Sequence, residues 1–220
     1  MNIQWSLSAL NLFERCKFAY KGRYIDQIPD ARPLSGPVKR GIDTHAEIEN
    51  YLLHGHPLSF DLNRKWGHAF QDIKQYELQV EHKIALNTFW EPDPNYKTAW
   101  LRMVLDLKAK KPSGYTVYDW KTGKEYDEHY DQKQLYSIGV MAEHPEVMSV
   151  RAVHVYLDLG KQTVREYHRD QLIAARSQWD SRVAKLANAR NDPNYDWIPS
   201  PNFTCRFCQF AKANGGPCKF

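Results

Sequence analysis

The stretch Gly114-Tyr115-Thr116-Val117-Tyr118-Asp119-Trp120-Lys121-Thr122-Gly123-Lys124 decides how this chain folds. Its first eight residues are rich in β-branched and aromatic side chains, as a strand is, and Thr122-Gly123 then turns the chain away. A period of two puts Asp119 and Lys121 on the same face with adjacent side chains. Just upstream, AWLRMVLDLKAK (99–110) is a second strand, and the turn Lys111-Pro112-Ser113-Gly114 makes the two a hairpin. Pairing them brings Asp106 next to Asp119. Two carboxylates at one spot repel each other unless a cation joins them, and hard oxygen donors select Mg²⁺ or Mn²⁺.

Outward from this hairpin the pattern continues on both sides. LQVEHKIALNTF (78–89) alternates with period two as a further strand. Residues 130–143 read as a helix. SVRAVHVYLD and KQTVREYH are two more strands around a turn at Leu159-Gly160, and Asp170 caps a long helix, QLIAARSQWDSRVAKLANAR. On the N-terminal side a first helix starts at Ser6 or Ser8 and runs through LNLFERCKFAYKGRY. A second covers about Val38 to Leu53, and a third Trp66 to Tyr76. In the second, Val38, Ile42, His45, Ile48 and Leu52 share one face, which points His45 inward. This order gives an α/β fold, a central mixed sheet covered by helices. It is read as a single domain, 1–220, with an N-terminal helical part (1–60), a core (61–195) and a cysteine-rich segment (196–220).

Composition narrows the function classes. The chain has 220 residues, 42% apolar and 25% charged, with a formal charge of +4. That is ordinary for a folded domain and argues against a disordered, collagen-like or membrane-spanning chain. The start, MNIQWSLSAL, lacks the basic region and long apolar core of a signal peptide, which places the protein in a reducing, cytoplasm-like compartment. A charge of +4 permits a nucleic-acid partner without demanding one. Arg102, Lys108, Lys110, Lys111, Lys124 and Lys133 could track a phosphate backbone or form a solvated rim.

Taken singly, the candidate residues have plain readings. Asp119 and Lys121 suit an ion pair on a sheet, His45 a core histidine, and Gln132 and Tyr136 two neighbours on one helix face. The cysteines say more. Cys16 stands alone, while Cys205, Cys208 and Cys218 crowd into CRFCQFAKANGGPC. In a reducing compartment a C-x-x-C with a further Cys nearby argues for a metal or redox site, and four soft thiolates suit an iron-sulfur cluster or zinc.

The joint order of Ser6-x-Ser8-x-Leu10, Cys16, His45, the Asp106 strand, Asp119-x-Lys121-Thr122-Gly123-Lys124, Gln132-x-x-x-Tyr136 and the C-terminal cysteines resembles RecB-type nucleases of the PD-(D/E)XK superfamily. It is most similar to the branch with an iron-sulfur cluster, which includes the AddB nuclease domain and the small CRISPR-adaptation exonucleases. The resemblance implies a restriction-endonuclease-like fold and a metal-dependent DNA exonuclease in recombination, repair or processing, compatible with a phage-borne enzyme. In that reading His45, Asp106, Asp119 and the Trp120 carbonyl bind Mg²⁺ or Mn²⁺. Lys121 assists the attacking water, with Gln132 and Tyr136 as the motif helix. Cys16, Cys205, Cys208 and Cys218 hold a [4Fe-4S] cluster, zinc being the alternative. Implied partners are DNA, as single strands or duplex ends, and a recombination or helicase protein. A structure-selective endonuclease and a non-catalytic DNA-binding subunit are the competing readings. The chain departs from the family at Met103 and Val104, where a Gly is usual, and in having Asp119 for the commoner Glu. The nine residues between Cys208 and Cys218 are also a longer gap than usual.

Overall fold

In chain order the helices are α1 (Leu7–Arg15), α2 (Lys17–Tyr20), α3 (Gly36–His54), α4 (Phe60–Lys74), α5 (Glu128–Glu143) and α6 (Arg169–Asn191). The strands are β1 (Glu77–Leu86), β2 (Leu101–Lys111), β3 (Gly114–Lys121), β4 (Ser149–Tyr156) and β5 (Lys161–His168). This computed structural model describes residues 3–126 and 128–220. They form two compact units, Leu34–Arg176, and Met1–Pro33 with Ser177–Phe220.

The unit Leu34–Arg176 holds one five-stranded sheet in the order β1-β2-β3-β4-β5. The hairpin closes at Lys111↔Gly114, where Gly114 takes φ 117°, a conformation that L side chains resist. β3 and β4 are parallel and the other pairs antiparallel, so α5 is the crossover that a parallel pair needs. The sheet is therefore mixed and flanked by helices, as the sequence implies.

Ile48 and Leu52 of α3 and Leu62, Phe70 and Ile73 of α4 pack with Leu107, Tyr118, Trp120 and Val155 on one face of the sheet. The opposite face carries α5, whose Gly139 comes so close to Met103 and Ile84 that any Cβ there would displace them.

Period two fails at one point. Val80 packs on the α3–α4 side, yet His82, two residues on, hydrogen-bonds Glu143 of α5. The break lies at Glu81, a non-glycine at φ 49°, and the ladder has no Glu81–Asp106 pair between Val80↔Leu107 and His82↔Leu105. Asp106 thus sits where the sheet switches which residues face which layer.

Several helix boundaries differ from the sequence reading. The first helix is not continuous: Ser6 caps α1 through Ala9 N, but Cys16 is extended at φ −160° and separates α1 from α2. α3 buries only the second half of its apolar stripe, Ile48 and Leu52, and leaves Val38 and Ile42 exposed. The third helix begins six residues earlier than Trp66, after Ser59. Asp170 lies inside the first turn of α6, where it complements the helix dipole, instead of capping it.

In the other unit Trp5 stacks on Trp179, Tyr20 on Trp197, and Arg182 grips both oxygens of Glu14. Phe210 fills the space above Gly22, tying the C-terminal segment to the chain just after α2.

Two cations read as either tracking a phosphate backbone or forming a solvated rim are instead buried. Lys108 is 3% exposed and its Nζ donates to Glu143 Oε2 at 2.7 Å, with His82 Nε2 at 3.1 Å and His144 Nε2 at 3.2 Å. Lys133 is 2% exposed and donates to Thr163 Oγ1 at 2.6 Å. Burial would raise the Glu143 pKa, but hydrogen bonds from His82 and Lys108, and their charges, outweigh it and hold it below the usual 4.5. Its contribution to stability is thus complete above pH 4.5 and lost as pH falls through the folded value. Lys108→Met leaves Glu143 and two imidazoles without their cation and should cost about 3 kcal/mol in urea unfolding at pH 7. The same change should flatten the acid limb of the stability profile.

Candidate functional site

β2 and β3 separate one pair before the two aspartates. Their ladder ends at Leu107↔Tyr118, and the Trp120 N–H is donated instead to Asp106 Oδ2 at 2.8 Å. Asp119 meets Gln132 of α5, while Asp106 meets His45 of α3, both from strands that have just parted.

His45 of α3 reaches the same point. Its Nε2 donates to the Trp120 carbonyl at 2.7 Å, and its Nδ1 lies 3.4 Å from Asp106 Oδ2. Burial alone would lower the His45 pKa. The hydrogen bond and charge of Asp106, with the charge of Asp119, outweigh it and leave the ring more basic than usual.

From the other side Gln132 of α5 joins the remaining groups. Its Nε2 donates to Asp119 Oδ1 and to Tyr136 Oη, both at 2.8 Å, and its Oε1 accepts from Lys121 Nζ at 2.7 Å. One amide thus fixes the acid, the lysine and the tyrosine together. Lys121 Nζ lies 2.6 Å from Asp119 Oδ2 as an ion pair whose angles are not those of a hydrogen bond, so that buried oxygen has no hydrogen-bond donor. Burial and the neighbouring Asp106 charge push Asp119 up to about 6 against the pull of Lys121 and His45. Tyr136 is held well above its usual value by burial and by both aspartates, so its hydroxyl keeps its proton.

The structure thus brings His45, Asp106, Asp119, Trp120, Lys121, Gln132 and Tyr136 into one connected group within Leu34–Arg176. In this arrangement no three His, Cys, Asp or Glu among the described residues converge closely enough to hold a metal ion. A cation nevertheless suits the donor set: a buried carboxylate oxygen without a hydrogen-bond donor, beside a second carboxylate, is the chemistry that a hard divalent ion satisfies.

Two neighbours of this group carried no sequence signal. Glu81 is held above its usual value by burial and by the charges of Asp106 and Glu49, and only its strained backbone conformation marks it. His154, registered beside Asp119 on β4, is buried with neither ring nitrogen hydrogen-bonded. Desolvation and the charges of Lys121, Lys133 and His129 push it down to about 2, so the ring is neutral. A period-two strand reading makes His154 an ordinary core position and gives no hint of either property.

The four cysteines lie elsewhere, in the unit that contains both chain ends, around one pocket and not converged into a metal-holding group. None is in a disulfide, and Cys16, Cys205, Cys208 and Cys218 line one small pocket with Phe18, Pro199, Pro201 and Phe210. The extended backbone at Cys16 is the break between α1 and α2. Asn202 N donates to Cys205 Sγ at 3.3 Å, and Cys218 N to the Phe210 carbonyl at 2.8 Å. A Cβ on Gly216 would run into the backbone of Gln209 and Phe210. Gly216→Ala should accordingly displace the segment that carries Cys218 and lower the melting temperature as strongly as loss of a cysteine, read by differential scanning calorimetry.

Residues 4–213 match the PD-(D/E)XK nuclease superfamily, and the chain belongs to it. Among solved structures it is similar to a candidate exonuclease from Eubacterium rectale, with a TM-score of 0.55 and 12% identity over 94% of this chain and 87% of that one. It is also similar to the protein SSO0001, with a TM-score of 0.47 and 15% identity over 95% of this chain and 84% of that one. No curated protein matches the sequence. No described helix is long and apolar enough to cross a membrane.

Proposed function

We propose that the protein is a metal-dependent DNA exonuclease of the RecB/AddB-like type, acting in a reducing, cytoplasm-like compartment in recombination, repair or DNA processing. The observation that carries this reading is the single hydrogen-bonded group in which Gln132 fixes Asp119 and Lys121 beside Asp106. His45, Asp106, Asp119 and the Trp120 carbonyl would hold Mg²⁺ or Mn²⁺. Such an ion, when bound, polarises a phosphoryl oxygen and acidifies a water.

The chain's own residues do the rest. Gln132 Oε1 and Asp119 anchor the Lys121 ammonium, which orients the attacking water and offsets charge developing on the phosphate. Tyr136, kept protonated, buttresses Gln132 from behind. His45 is held beside Asp106 by its hydrogen bond to the Trp120 carbonyl, and these two side chains would turn to the ion together.

The pocket common to Cys16, Cys205, Cys208 and Cys218 supports a [4Fe-4S] cluster there, with zinc as the alternative. Absorbance near the visible thiolate-to-iron band and metal analysis of anaerobically purified protein separate the two. The exonuclease reading predicts that end-labelled linear DNA, single-stranded or duplex, is degraded with Mg²⁺ or Mn²⁺ while covalently closed circles survive. Nicking of circles would establish an endonuclease instead. No cleavage of any substrate would leave a DNA-binding subunit, alone or with a helicase partner.

A further inference from the structure

Cys205 lines the cysteine pocket from a short 3-10 turn, Phe203–Phe207, whose other large side chains face solvent. Three residues per turn place Phe203 and Arg206 above one another. The Arg206 guanidinium lies 4.6 Å from the centre of the Phe207 ring. Phe203 is 73% exposed and Phe207 67%. A second pair belongs to the same segment: Lys219 Nζ stands 5.2 Å from the ring of Phe220, which is 47% exposed and borders the cysteine pocket on its other side, and the Phe220 carbonyl accepts from Lys212 N at 2.7 Å. Between residues 197 and 220 the chain carries Arg206, Lys212 and Lys219 and neither Asp nor Glu.

The backbone beneath these rings is well tied. Asn202 Oδ1 accepts from Thr204 N at 3.0 Å, and Asn214 Nδ2 donates to the Cys208 carbonyl at 2.9 Å. Arg32 Nη1 donates to the Phe207 carbonyl at 3.2 Å. Exposed rings on an ordered turn lose little entropy when something covers them. An apolar protein surface would match the rings and leave three cations unanswered. A strand with free bases and phosphates answers both, by stacking and by charge.

We propose that Phe203, Arg206 and Phe207, with Lys219 and Phe220, form a stacking platform for single-stranded nucleic acid. The choice of ligand rests on the nuclease reading, and the platform adds a contact outside the Asp106–Asp119 site. Bases lie on the rings and phosphates meet the cations.

The test is binding of a fluorescent oligo(dT) of about 20 nucleotides to the full chain as purified, in EDTA so that nothing is cut. Phe203→Ala with Phe207→Ala should weaken binding by about tenfold per ring, and Arg206→Gln should make the salt dependence shallower by about one ion. Phe203→Leu with Phe207→Leu, which keeps apolar volume but removes the π faces, should also weaken it. Iodouracil-substituted oligo(dT) should photo-crosslink to Phe203 or Phe207. If both double variants bind within twofold of wild type, the platform is overturned. Unchanged DNA binding together with altered sedimentation overturns it in favour of a protein interface. Wild-type protein that cuts DNA while the variants keep full affinity defeats the platform alone. Wild-type protein that cuts nothing yet binds through these rings defeats the nuclease reading alone.

Discussion

Asp119→Asn is expected to reduce metal-dependent DNA hydrolysis on the order of a thousandfold or more, while making the metal-free protein more stable. The first effect follows from losing the carboxylate that faces both Asp106 and Lys121. The second follows from electrostatics. Asp119 ionises near pH 6 in the folded chain, against 3.8 for an ordinary Asp, because it is buried beside Asp106. A raised carboxyl value means that the folded state holds its proton longer than the unfolded chain does, so stability falls as pH rises from about 4 to about 6. By pH 8 that loss is on the order of 3 kcal/mol, already net of the attraction to Lys121. Asn removes it. The variant should therefore unfold at higher urea than wild type at pH 8 and at nearly the same urea at pH 4. Mg²⁺ or Mn²⁺ should raise the melting temperature of the wild type and not of the variant. A variant that still degrades linear DNA would remove Asp119 from the chemistry. Equal stabilities at pH 8 would show that its burial carries no such cost.

Cys16→Ala or Cys208→Ala should yield a poorly soluble protein that loses DNA cleavage without any change to the Asp106–Asp119 group. A metal centre held by Cys16 and the C-terminal cysteines closes a loop of about 190 residues. By the chain-entropy relation a link of that span restrains the unfolded chain by on the order of 5 kcal/mol, comparable with the whole stability of a typical domain. The measurements are soluble yield, bound iron or zinc, and urea midpoint. A soluble Cys16→Ala/Cys208→Ala double variant that is stable and active would count against a structural metal centre.

The sequence by itself determined the strand-turn-strand unit around Gly114, the shared face of Asp119 and Lys121, and the approach of Asp106. These follow from local rules, since alternation and hairpin pairing fix side chains a few residues apart. It also held the spacing of Gln132 and Tyr136, because four residues on a helix face one way whatever they touch. Cysteine usage suggested a four-thiolate site, but the pattern of one distant Cys16 with three C-terminal cysteines came from the family resemblance, because no local rule spans that separation.

Tertiary structure alone decided the rest. Alternation along β1 and β2 fails at Glu81 and Asp106, and a period-two reading cannot locate such a break because its cause is packing of different layers on either side. Lys108 and Lys133 look like solvent-facing cations until Glu143 and Thr163, about thirty residues further along the chain, supply partners that make their burial tolerable. The first helix reads as continuous because its residues all favour helix, yet Cys16 is extended and lines a pocket with three cysteines from the other end of the chain. The displaced Asp119 pKa belongs to this second group too. It arises from desolvation and a like charge across a strand pair, and neither exists until the sheet has formed.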